Sequence, residues 1–151
     1  MENTAKLSKI RIIISLIYIT YIAVVFFLTQ HQFKQTLDLN LNQYFLGMRF
    51  DHIVHFIIFL PYSILTWVTL NYAGRKIVKE GTKKIKNIFI ILITGIAFGT
   101  ITEILQKLIT TSRQYDPSDI RADTISILVG IVIAILLDKW FLKIMRRTIK
   151  N

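Results

Sequence analysis

The sequence predicts an all-α, polytopic membrane protein, a four-transmembrane-helix bundle with a short interfacial helix. Three observations lead there. Apolar runs over residues 12–28, 53–70, 85–105 and 120–137 each come near the ~17–25 residues that cross a bilayer as a helix. The chain is 53% hydrophobic and only 19% charged, against about 25% charged in soluble domains. Its charges also fall in blocks between the apolar runs rather than along them.

The first span, approximately residues 10–28, follows a basic start of Lys6, Lys9 and Arg11. A signal peptide starts in the same way, but Thr29-Gln30-His31-Gln32 supplies no small-residue cleavage site, so an uncleaved span is expected. Over 33–48, Phe33, Leu37, Leu41, Tyr44, Phe45 and Met48 recur at intervals of three and four, the pattern of a helix lying along the outer interface or capping the protein's own outer mouth. The second span, approximately 53–70, contains Pro61, which a membrane helix tolerates as a kink. The third and fourth spans are expected at approximately 85–106 and 117–138. All four belong to a single membrane domain, 1–151, and no internal repeat is evident.

Counting Lys and Arg orients the spans. The N-terminus, the 71–87 loop and the tail carry fourteen; the other two loops carry five. The positive-inside rule then places both termini in the cytoplasm. A net charge of +10 is therefore read as topology anchoring rather than nucleic-acid binding, and no nucleic-acid motif is present. The absence of cysteine excludes disulfides, thiolate metal sites and thiol nucleophiles.

The spans carry their own packing signals. Gly95 and Gly99 form a G-x-x-x-G pair on the third, and Ala122, Ser126, Gly130 and Ala134 form a small-residue ridge on the fourth. Small residues let helices in lipid approach closely, so the third and fourth spans are expected to pack together. Asp116 as N-cap, Pro117 as first helical residue and Asp119 at the capping-box position mark the start of the fourth. Trp67 and Trp140 lie near cytoplasmic span ends, where aromatic belts form.

The candidate site is the set of polar residues at the outer ends of the spans. Asp51 and His55 are four apart and share a helix face, as do Asp119 and Asp123. Glu103 and Gln106 close the third span, and Arg113 in the short loop is the expected cation among them. Ionisable side chains at membrane depth are expensive and are functional candidates by default.

In the order and spacing of Asp51-x-x-x-His55-Phe56, Glu103-x-x-Gln106, Arg113, Asp116-x-x-Asp119 and Gly130, the chain resembles the VanZ-like family of small membrane proteins over roughly residues 45–135. It departs from that pattern at His52 (usually Lys), Asp123 (usually Asn) and Ser126 (usually Gly). The resemblance implies a polytopic bacterial membrane protein linked, through the founding member, to teicoplanin resistance. It implies no particular molecular activity.

Three functions fit this constellation. An outward-facing pocket could bind an amphipathic envelope molecule, such as a lipid-linked precursor or a glycopeptide, with Arg113 and His55 donating and Glu103, Gln106 and Asp123 accepting. An intramembrane enzyme could use Glu103 or Asp123 as base, or hold a divalent cation with His55 and Asp51. A buried polar network could simply fix helix registry, His55 pairing with Asp51 and Arg113 with Glu103 or Asp119. No catalytic motif decides for the enzyme, and no metal ligand set or cofactor is assigned from the sequence. Membrane lipids are the one partner expected on any of these readings.

Overall fold

The computed structural model describes residues 2–30, 44–45, 48–73, 82–109 and 117–150. Helix α1 (Glu2–Gln30) is followed by two short strands, β1 (Tyr44–Phe45) and β2 (Met48–Arg49). Helix α2 (Phe50–Val68) runs into a π-helical turn, Thr69–Ala73. Helices α3 (Thr82–Ile109) and α4 (Pro117–Lys150) complete the chain. Each helix contains a stretch long and apolar enough to cross a membrane: Ser8–Gln30, Phe50–Ala73, Lys84–Ile109 and Pro117–Trp140. Ile19, Phe27, Ile57, Phe89, Ile93, Leu108 and Leu136 are all exposed on the outside of the bundle. Water would penalise so continuous an apolar surface, whereas lipid solvates it. The chain is a multi-pass, all-α membrane protein.

The interfacial helix expected over 33–48 falls mostly on 31–43 and 46–47, outside the described residues. Its described end is not helical. Tyr44 pairs with Arg49 and Phe45 with Met48 in an antiparallel ladder. Leu46-Gly47 lies between the strands in sequence, and a two-residue link containing glycine is a hairpin cue that the three-and-four periodicity concealed.

The core is narrow. Tyr62 and Trp67 of α2, Ile91 of α3, and Ile127, Ile131 and Ala134 of α4 pack into one cluster, with Tyr21, Leu92 and Phe98 against it. The third and fourth spans do pack together, as expected, but Ser126 and Gly130 of the small-residue ridge lie against α2. A Cβ on Gly130 would stand 2.7 Å from the Leu60 carbonyl oxygen and 2.9 Å from Ser63 Cβ. Ser126 Oγ donates to the Phe56 carbonyl at 2.6 Å, and Ser63 Oγ to the Ile127 carbonyl at 2.8 Å. The G-x-x-x-G pair of α3 does face α4: a Cβ on Gly95 would meet Ile127, and one on Gly99 would meet Asp123. Ridge and pair thus touch different neighbours, because α4 has to fit both α2 and α3 around its circumference.

Pro61 has no N–H, so the Ile57 carbonyl one turn earlier lacks its usual intrahelical donor. The neighbouring carbonyls of Phe56 and Ile58 accept from Ser126 Oγ and from Tyr21 Oη (2.7 Å).

Helix α1 is held by polar bonds more than by packing. Only Val25 and Thr29 are buried among its described side chains. Tyr21 bonds α2, the Gln30 Nε2 donates to the Thr102 carbonyl at 3.3 Å, and Gln106 Nε2 donates to the Thr29 carbonyl. Those last two contacts bring the C-terminal ends of α1 and α3 together. The N-terminal ends of α2 and α4 share that end of the bundle, where His52 meets Ser118.

Candidate functional site

The polar end is built from three helices. From α2, Asp51 and His55 project on one face, as their four-residue spacing requires, and both are buried. From α3 come Glu103 and Gln106, one turn apart and buried. From α4 come Asp119 and Asp123, buried as well. Six of the seven residues singled out from the sequence therefore lie together. The seventh, Arg113, lies outside the described residues, as does the expected N-cap Asp116. Pro117 does open α4.

The pairing differs from the expected one. His55 is held by Asp123, not by Asp51: its Nδ1 lies 3.1 Å from Asp123 Oδ1. Its Nε2 faces Asp119 Oδ2 at 4.0 Å. Asp51 is engaged by Arg49, whose guanidinium pairs with Oδ2, and by the backbone N–H of His52, which donates to Oδ1 at 2.9 Å. Asp119 faces the two histidines rather than its own helix start alone, with Oδ1 3.5 Å from His52 Nε2. The reason is local. Asp51 is in the first turn of α2, within reach of an arginine two residues upstream and of the free N–H groups of a helix start. His55 lies one turn deeper, level with Asp123.

Gly99 makes this level possible. Its missing side chain lets Asp123 come against α3, since a Cβ there would stand 2.9 Å from Asp123 Oδ2. Glu103 follows one turn later on the same face. Among the described residues two groups of possible ligands result, Asp51–His52–Asp119 and His55–Glu103–Asp119, and within each group one ligand atom per residue lies within 4.8 Å of the others. Asp119 belongs to both. Of the neighbouring acceptors, the Oε1 of Gln106 is buried and has no hydrogen-bond partner among the described residues.

Sequence reasoning missed three contributors here. Arg49, and not only a loop arginine, supplies a cation. His52, noted only as a departure from a family pattern, bridges toward Ser118 Oγ at 3.0 Å and toward Asp119. Ser118 thereby joins the cluster from α4. All three adjoin motif residues, so their positions were the available signal.

A second polar network lies at the opposite end, where none was expected. Asp138 Oδ1 accepts from Trp67 Nε1 and from Tyr72 Oη, both at 2.9 Å, and Oδ2 pairs with Lys84 Nζ at 3.2 Å. Asn71 joins in by donating to the Trp67 carbonyl and accepting from Asn87. Trp67 is therefore a buried core donor, 0% exposed, and not part of an aromatic belt; Trp140, 57% exposed, fits that role. The π-helical turn, which adds a residue to the ladder, places Tyr72 beside Trp67 on the Asp138 side. Both carboxylate oxygens of Asp138 are used in holding α2, α3 and α4 together, so this end reads as a clamp. No family model, no curated protein and no solved structure matches the chain.

Proposed function

We propose that the chain is a VanZ-like protein of the bacterial cytoplasmic membrane, with both termini cytoplasmic. Its outward-facing polar nest recognises or handles a cell-envelope amphiphile, and tolerance of glycopeptide-type envelope antibiotics is the phenotype. The observation that carries this reading is the gathering of His55, Glu103, Asp119 and Asp123 from three helices at one end. The Lys/Arg asymmetry of the loops supports the outward direction. The network at the other end is an inter-helix clamp around one carboxylate, whereas this end gathers four.

The chemistry of the nest narrows the ligand. Carboxylates and a glutamine carbonyl are acceptors, so they suit hydroxyl or amine donors such as a sugar or amino headgroup. The apolar flanks of the bundle suit the attached lipid chain. A lipid-linked precursor and a glycopeptide with an apolar tail share these features.

A catalytic reading has one observation in its favour, the Asp123-held imidazole of His55, which is the arrangement of an oriented general base. Turnover of labelled envelope lipid by purified protein separates it from binding alone. The test of the proposal is antibiotic susceptibility of cells expressing His55→Ala, Glu103→Gln or Arg113→Ala at normal membrane level. Tolerance is expected to be lost; unchanged tolerance in all three contradicts the proposal.

A further inference from the structure

We infer that His55, Glu103 and Asp119 form a binding site for one divalent transition-metal cation. The inference rests on the functional reading above for its purpose but on separate geometry for its existence. One nitrogen and two carboxylate oxygens from three different helices come within 4.8 Å of one another. All three residues are buried. Two ligand bonds of about 2.1 Å span roughly 3.4 Å at a tetrahedral angle and about 4.2 Å when opposed. The 4.0 Å from His55 Nε2 to Asp119 Oδ2 falls in that interval and is too long for a hydrogen bond. A single ion between them fits the distance.

The surroundings have the features of a metal site. A ligating histidine ordinarily has its other ring nitrogen held by a carboxylate, which fixes ring orientation, and Asp123 stands at that position, 3.1 Å from Nδ1. One turn past Glu103, Gln106 is 2% exposed and its Oε1 has no hydrogen-bond partner among the described residues. A buried acceptor left in that condition is costly; a cation or its bound water beside it removes the cost. Asp51 and His52, which share Asp119 with the triad, form the wall on the α2 side. Mixed imidazole and carboxylate ligation suits Zn²⁺ or Mn²⁺ better than a soft monovalent ion. Three protein ligands leave coordination positions open, and a headgroup oxygen of the amphiphile would enter there.

The experiment uses the full chain, purified in zwitterionic nanodiscs and stripped with EDTA. Mn²⁺ is titrated in and the free-ion signal followed by electron paramagnetic resonance, with Zn²⁺ as competitor. One Mn²⁺ per chain, displaced by Zn²⁺, is expected. Glu103→Gln and Asp119→Asn, close in shape to the native residues, are expected to weaken binding at least tenfold while melting like the native chain without metal. No bound Mn²⁺ or Zn²⁺, or binding unchanged in both variants, overturns the inference. Binding of envelope lipid to EDTA-stripped protein separates the two claims. If it persists while the metal titration is blank, the cation falls and the recognition reading stands. If metal binds but lipid binding and antibiotic tolerance are absent, the cation stands and that reading falls.

Discussion

Replacing Gly130 by alanine tests the crossing of α2 and α4, on which the alignment of the polar end depends. The added methyl carbon would lie 2.7 Å from the Leu60 carbonyl oxygen, a backbone atom, and 2.9 Å from Ser63 Cβ. Close carbon–oxygen contacts in proteins settle near 3.3 Å, so the helices must part by about 0.6 Å at this point. Overpacking of this kind costs roughly 1–3 kcal/mol. Two inter-helix bonds, Ser126 to Phe56 and Ser63 to Ile127, span the same crossing. If both are lost, each adds about 0.6 kcal/mol, for a total of roughly 2–4 kcal/mol. Gly95→Ala is the comparison, because its obstacles are side-chain atoms, Ile127 Cδ1 at 2.8 Å and Tyr62 Cε1 at 2.9 Å, rather than backbone; it should cost less. Unfolding in mixed detergent and SDS measures both. Gly130→Ala as stable as the native chain, or less harmful than Gly95→Ala, would refute the reasoning.

Other consequences follow from the same contacts. Gly99→Ala pushes on Asp123 and should abolish antibiotic tolerance while costing less stability than Gly130→Ala, read from susceptibility and melting together. Asp138→Leu leaves Trp67 Nε1 without its acceptor, while Tyr72 Oη keeps the backbone carbonyl at 3.3 Å, and should cost about 1–3 kcal/mol for the buried orphan, with a shift in tryptophan emission. Asp138→Asn keeps an acceptor and loses only the pairing with half-exposed Lys84, so about 1 kcal/mol or less is expected. Gln106→Leu removes the bond to the Thr29 carbonyl and should speed amide exchange at the end of α1 with little change elsewhere.

Four spans and the depth of most polar residues were legible in the sequence because both depend on one-dimensional signals. Apolar run length marks a span, and a carboxylate at a span's edge marks a site. Partner choice was not legible. His55 and Asp51 share a helix face, so pairing them was the local guess, yet Asp123 lies 68 positions away and claims the imidazole because Gly99 admits it. The ridge on α4 announced close packing without saying against which helix; Gly130 lies against Leu60 and Ser63, and Ser126 against the Phe56 carbonyl, contacts that no spacing along the chain reveals. Asp138 closes an apolar run as plainly as Glu103 does. It passed unremarked because a single carboxylate near a basic tail resembles a solvated end, while the π-helical turn that buries it leaves no pattern in the residues.

The central claim is that the ends of α2 and α4 meet at the polar nest. The chain contains no cysteine, so His52→Cys with Ser118→Cys, whose native side chains come within 3.0 Å, gives a clean pair for a short bis-maleimide. With a protease site inserted between residues 74 and 81, efficient joining of the two fragments in intact membranes is predicted, with none for His52→Cys paired with Lys139→Cys. Fragments that separate as readily for the first pair as for the second would contradict it.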